Sequence, residues 1–199
     1  MKEKVENHLH HFKDHVATFS DYGNIKILDF KKPNSNAYRI RFLFEEDYKR
    51  LHISGDLGEL IAIDYNNMCF DGFEDFVNNT DYFEEKVLCH NRPFHYYDEK
   101  SAREKVKEYI EKYLYLERFD EYCDWQSEEE NMNDILDSIF DDFTQEKGIG
   151  SKGWDILTSQ ADSEVYYDLS EAGKQNTIIL ELYMQAFKLA MKHYRKMVM

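Results

Sequence analysis

Hydrophobic spacing changes period twice along this chain. Val5, Leu9, Phe12, Val16 and Phe19 recur at intervals of four and three, the mark of one apolar stripe on a helix. They predict an N-terminal helix of about five turns, which Asp21, Tyr22, Gly23 and Asn24 end. The period then shortens to two. Ile25 and Ile27, then Tyr38, Ile40, Phe42 and Phe44, then Leu51 and Ile53, then the stretch from Leu60 to Tyr65 form short alternating runs. Turn-forming residues at 32–36, 45–47 and 54–58 separate them. The pattern predicts a four-stranded antiparallel meander, with the N-terminal helix covering one face.

After Asn67 the helical period returns. Phe70, Phe73, Phe76 and Val77 suggest a short helical segment, and Asp81 with Glu84 suits the start of another that carries Phe83, Val87 and Leu88. Asn91, Arg92 and Pro93 break the chain, since proline disfavours helix at the residue before it. Ser101 with Glu104, and Ser127 with Glu130, match the capping box in which hydroxyl and carboxylate satisfy free amides at a helix start. They predict helices over 102–118 and 128–146. A loop at 148–153, a short helix at 164–169 and a long one at 178–197 complete an α+β fold. The expected organisation is a single domain, 1–199, with helix and sheet in 1–67 and a mainly helical remainder.

Charge changes the picture at one place. The chain of 199 residues holds 40 acids and 25 bases, and between Phe119 and Glu146 lie eleven acids with no lysine or arginine. Such a run ordinarily stays solvated and unfolded, but Met132, Ile135, Leu136, Ile139, Phe140 and Phe143 thread through it at helical spacing. The acids therefore ride on a helix with a core to pack against. Glu130, Asp134, Asp137 and Asp141 fall four, three and four apart and span roughly 16 Å at 1.5 Å per residue, with Glu128 and Asp124 extending the row. An exposed helix ordinarily intersperses lysine for pairing at i, i+4; this one does not. A row of carboxylates repels nucleic acid and anionic membrane. It suits the basic groove of another protein, where it stands in for a phosphate strand.

Other candidate chemistries are weaker. With 15 Tyr and 14 Phe against 8 Gly and 2 Pro, the chain is expected to fold. Cys69, Cys89 and Cys123 lack the paired short spacing of a zinc site or disulfide framework and read as reduced thiols in a cytoplasm. No signal segment or apolar run of membrane length is visible, so a cytoplasmic location is expected. Gly148-Ile-Gly-Ser-Lys-Gly153 spells the dinucleotide fingerprint, but follows a helix where that motif requires a strand. His8, His10, His11 and His15 read as a solvated face of the first helix. Cys89, His90 and His95 around Pro93 lack any group to orient an imidazole toward the thiol. Asp56, Glu59 and Asp64 near the 54–64 turn are the nearest approach to a magnesium site, the basis for an alternative reading as a metal-dependent nuclease or other enzyme. No metal or cofactor is called for by the preferred reading, and no catalytic residue is assigned.

Tyr48 to Asn67, and above all Leu-His-Ile-Ser-Gly-Asp-Leu-Gly-Glu-Leu-Ile at 51–61, resembles a segment of small acidic proteins encoded by phages and prophages of Gram-positive bacteria. The likeness covers at most half the chain and excludes the acidic segment. Its residues are structural: Gly55 and Gly58 permit a tight hairpin. The resemblance implies a setting in which proteins of this size include inhibitors of host defence, anti-CRISPR proteins among them, that occupy the DNA-reading surface of a guide-RNA nuclease. Together, charge and setting predict a binding protein whose partner is a basic, nucleic-acid-handling host protein.

Overall fold

The computed structural model describes residues 9–114, 125–160 and 164–198, which group into two compact units. One holds the residues up to Phe94 together with those from Ile178 onward, and the other holds His95–Thr177. The α+β class is as expected, and the four strands of the meander are present as β2 (Ile25–Lys31), β3 (Ile40–Glu45), β4 (Arg50–Gly55) and β5 (Gly58–Ile63). Two further strands make the sheet six-stranded, antiparallel and sequential in order.

The first addition, β1 (Val16–Asp21), overturns the N-terminal helix. Only a 3-10 turn, Leu9–Phe12, forms there, and β1 pairs with β2 from Val16↔Lys31 to Asp21↔Lys26. Two β-branched residues, Val16 and Thr18, favour the extended chain, and an unpaired β2 edge supplies hydrogen bonds that an isolated helix must find within itself. The helical stripe was coincidental: Val16 is exposed and its neighbour Ala17 is buried. The second addition, β6 (Val87–His90), replaces the later part of a predicted helix. Helix α1 (Thr80–Glu84) is capped by Asn79, whose side chain accepts from the Tyr82 amide, and stops after five residues. The chain then covers the open edge of β5, with a register shift at Ile61/Ala62.

Alternation along the strands sends Leu28, Phe30, Ile40, Phe42, Phe44, Leu51, Ile53, Leu60 and Ala62 to one face, all buried. Two elements cover it. The segment from Met68 to Phe83 contributes five buried aromatic or sulfur-bearing side chains, Met68, Phe70, Phe73, Phe76 and Phe83. The long C-terminal helix, α6 (Ile179–Val198), inserts Phe187 4.8 Å from Phe73 and 5.3 Å from Phe42 between ring centroids. Edge-to-face contacts of this kind add to the area term, because the positive ring edge meets the negative face. The β4–β5 hairpin depends on Gly55 at φ +154°, where a Cβ would collide with the Arg39 carbonyl oxygen.

The second unit is mainly helical. A two-stranded ribbon pairs β7 (His95–Tyr97) with β8 (Lys174–Asn176), which the sequence did not suggest. Helix α2 (Glu99–Tyr109) starts three residues before the predicted box, because Asp98 accepts from both the amide and the hydroxyl of Ser101 at 2.8 Å. It runs into a π-turn, Ile110–Leu114, beyond which the predicted helix leaves the described residues. Helix α3 (Trp125–Ile139) is the acidic helix, seven residues shorter at its end than predicted. A helix α4 (Ser151–Gln160) begins inside the expected glycine loop, and α5 (Val165–Leu169) matches the predicted short one. Val106, Ile110, Leu136, Ile139, Phe140, Leu157 and Leu169 belong to their common core.

Candidate acidic interface

The apolar positions of α3 do what their spacing implies. Met132, Leu136, Ile139 and Phe140 are buried, Phe143 packs against that core, and Ile135 at 37 % exposure is the one position on the stripe that turns outward. Burial of this stripe fixes the rotation of α3 and thereby leaves Asp134, Asp137 and Asp141 exposed. With Ser138 they line a shallow depression of about 490 Å³. Glu128 and Glu130 lie within α3, where their side chains fall outside the described residues, as does Asp124 altogether.

The row is not uniformly free charge. Arg103 of α2 donates from Nη1 to Asp137 at 2.7 Å and from Nε to Glu99 at 2.8 Å, and its guanidinium lies 4.8 Å from the Phe140 ring centroid. Lys152 of α4 reaches Asp141 at 2.9 Å. Asp134 makes no ion pair among the described residues and is the readiest anion of the three. The two exposed pairs are weak holds, since solvent screens them and each long side chain loses freedom in making them. Sequence reasoning missed both bases. Glu99 and Arg103 were legible as an i, i+4 pair, but nothing in the sequence connected Arg103 with Asp137.

Asp142, counted with the acidic run, has another role. Its carboxylate accepts from the Lys152 amide at 3.0 Å and the Gly153 amide at 3.3 Å, capping the start of α4. The Lys152 amide, foremost, holds this carboxyl below the ordinary carboxylate range. That same arrangement disposes of the dinucleotide fingerprint: a helix does begin in the 148–153 stretch, contrary to the loop expected there, but its anion site is filled by Asp142. The glycines serve packing instead. A Cβ on Gly150 would strike Asp142, and one on Gly153 would strike the Ile139 carbonyl.

No family model, curated protein or solved structure matches this chain.

The remaining candidates fare less well. Asp56 and Asp64 lie beyond opposite ends of β5, whose six residues span about 20 Å at 3.3 Å each. Asp56 accepts from the Tyr38 amide at 2.9 Å, and Asp64 from the amides of Asn66 and Asn67 at 2.9 and 3.1 Å. These acids close turns and do not converge, and no cluster of three metal-ligating side chains exists among the described residues. The solvated histidine face is also corrected. His15 is 2 % exposed, bonded from Nε2 to the Tyr38 carbonyl at 3.1 Å, and His11 stacks on Tyr38 at 4.1 Å. Burial holds the His15 imidazole below its ordinary value of 6.5.

A second depression, about 480 Å³, lies on the outward face of the sheet beside Arg41, His52, Ser54, Glu59, Cys89 and His90. Three of its polar groups are engaged by neighbouring side chains or backbone. Arg41 makes a bidentate pair with Asp29 at 2.9 and 2.7 Å, His52 meets Glu45 at 3.1 Å, and His90 Nδ1 meets the Arg92 carbonyl at 2.7 Å. The last contact orients the His90 imidazole through the Arg92 carbonyl. His95 belongs to the other unit, bonded to Asn176 at 2.8 Å. Among the described residues no helix is long and apolar enough to cross a membrane.

Proposed function

We propose that this protein acts by binding, through the acidic face of α3, to a basic nucleic-acid-handling surface on another protein, and that it excludes nucleic acid from that surface. The observation that carries the reading is the orientation of α3: its apolar stripe is buried while Asp134, Asp137 and Asp141 stand exposed along one side. Carboxylates three and four residues apart on a helix recur every ~4.5 to 6 Å along its axis, a regular row of negative charge somewhat sparser than the ~3.4 Å axial rise of phosphates on one strand. A lysine- or arginine-lined channel that holds a phosphate backbone therefore finds its preferred charge there. The ion pairs to Arg103 and Lys152 support exchange, since an incoming guanidinium replaces an exposed intramolecular partner of the same kind at little cost.

The phage setting implied by the 51–61 segment directs the choice of partner toward a guide-RNA nuclease of a bacterial defence system, bound stoichiometrically and without turnover. The test mixes the protein with such a nuclease at defined ratios, with and without EDTA, and reads target-DNA cleavage. Inhibition that titrates to a fixed ratio, ignores EDTA in the binding step and weakens with salt is the expected result. Inactivation of a large nuclease excess by trace protein, or cut RNA or DNA in the mixture, replaces the binding reading with an enzymatic one. Combined substitution of Glu130→Gln, Asp134→Asn, Asp137→Asn and Asp141→Asn keeps the apolar stripe and is expected to lower inhibition steeply. Substituting Arg103→Gln with Lys152→Gln unmasks two carboxylates and is expected to strengthen it.

A further inference from the structure

Three tyrosines far apart in sequence lie in connections at one end of the sheet. Tyr22 lies in the β1–β2 turn, Tyr48 in the β3–β4 turn, and Tyr65 just after β5. Because the meander alternates direction, all three connections leave the sheet at the same end. The register puts Ile25, Glu45, Arg50 and Ile63 on one level across β2 to β5, immediately below them. With strands about 4.8 Å apart, the three turns follow one another at roughly 10 and 7 Å. Their exposures are 69 %, 63 % and 85 %, among the highest of any large apolar side chains in the described residues.

Hydrogen bonds hold the turns to one another. The Glu46 amide donates to the Asn24 carbonyl at 2.7 Å, Asn24 Nδ2 to Asp47 at 2.9 Å, and the Asp64 amide to the Lys49 carbonyl at 3.2 Å. Within the turns, Asp21 accepts from the Gly23 amide at 2.8 Å and Asp64 from those of Asn66 and Asn67. The turns that carry the three tyrosines are consequently tied to one another rather than being three independent loop tips. The charge around them is complementary to a cation. Lys26 is tied to Glu46, Arg50 to Glu45 and Lys86 to Asp64, while Asp21, Asp47 and Asp71 stand exposed at or beside these turns and outnumber the half-buried Lys49. Arg50 already lies 5.6 Å from the Tyr48 ring, an internal example of the contact such an edge makes.

We infer that this tyrosine edge is a second binding surface, specific for an arginine-bearing protein surface. Arginine is favoured over lysine because its planar guanidinium stacks on a phenol ring while still donating to a neighbouring carboxylate. Rigid tyrosines supply contact area at low entropic cost, which is why they dominate interface anchors. The inference deepens the binding proposed above and rests on its basic partner, but it assigns contact to the other unit of the chain and to a different chemistry.

The experiment uses the full chain and two dye-labelled probes, nona-arginine and nona-lysine, read by fluorescence anisotropy. Wild type is expected to prefer nona-arginine several-fold. Tyr22→Ser, Tyr48→Ser and Tyr65→Ser together are expected to lower nona-arginine affinity by about tenfold and to abolish the preference. The corresponding phenylalanine variant, which keeps the rings, is expected to retain the preference. Asp134→Asn with Asp137→Asn and Asp141→Asn is expected to weaken both probes equally and leave the preference intact, so failure of the acidic-helix reading is visible separately. An unaltered preference in the serine variant, with an unchanged Tm, overturns the inference, as does equal affinity of wild type for the two probes. Retention of the preference by the serine variant alongside saturable binding to an oligosaccharide would assign the rings to a sugar instead.

Discussion

The two units use their acids in opposite ways. In the sheet unit, Asp29, Glu45, Glu46 and Asp64 each pair with a base on a neighbouring strand or loop, and the charges tie strands and turns together. In the helical unit, α3 carries its acids without a single base of its own, and borrows Arg103 from α2 and Lys152 from α4. The difference teaches where negative charge is structural and where it is available. Acids interleaved with bases across strands are used up in holding the fold. A run without bases retains charge for a partner, and is tolerated because a buried apolar stripe holds its helix in place.

The largest test of this contrast asks whether the units stand apart energetically. Phe187→Ala empties the aromatic centre of the sheet unit and is expected to cost about 3–5 kcal/mol. Trp125 and Trp154, the only 2 tryptophans of the chain, lie in 95–177 and report the helical unit alone. The expected result is a denaturation midpoint that falls sharply by far-UV circular dichroism and less by tryptophan fluorescence. Equal falls by both probes would make the chain one cooperative whole.

The converse substitution, Gly153→Ala, places a methyl against the Ile139 carbonyl and forces α3 and α4 apart. A loss of about 1–3 kcal/mol is expected, seen first in tryptophan fluorescence. If the variant is stable but binds its partner poorly, the position of α3 matters more than its charge.

Acidification separates the units by the pH at which each responds. His15 is neutral in the fold because burial lowers its pKa below 6.5, with Lys32 adding to that and Asp14 opposing it. The stability it confers is present above 6.5 and is lost as the pH falls below that value, because the unfolded chain binds the proton more readily. The sheet unit is therefore expected to lose stability between pH 7 and 5, and His15→Gln to flatten that dependence. Asp142, whose carboxyl is lowered by its cap to α4, keeps its contribution until the pH falls below the ordinary carboxylate value of 3.8. The helical unit should be insensitive over the same interval, as tryptophan fluorescence at each pH would show.

The smallest effect belongs to Asp29→Asn. Loss of the bidentate contact to Arg41 is expected to cost about 1 kcal/mol or less, and to diminish with added salt. A larger loss would mean that the outward face of the sheet is held more tightly than exposed pairs ordinarily allow.

Much of the fold was legible because its signals are local. Alternation placed β2 to β5, and the stripe of Met132, Leu136, Ile139 and Phe140 placed α3 and its exposed face. Val16 and Phe19 misled because a spacing of three reads as helical, whereas a strand sends the two to opposite faces, and only pairing with β2 decides between the readings. Val87 to His90 misled for the related reason that the open edge of β5 outweighs a weak helical preference. Asp142 was read as one more charge of the run, since a cap to an amide ten residues onward leaves no mark in composition.

By itself, then, the sequence determined the α+β class, the central meander, the acidic helix and which side of it meets solvent, because each follows from period and polarity within a short stretch. Tertiary structure alone decided that Arg103 and Lys152 temper the acidic row, that His15 is buried, that Asp56 and Asp64 are kept apart, and that Tyr22, Tyr48 and Tyr65 lie at one end of the sheet. Those outcomes depend on which distant strands and helices become neighbours. Hydrophobic burial and backbone hydrogen bonding settle that choice for the chain as a whole, and no window of residues carries it.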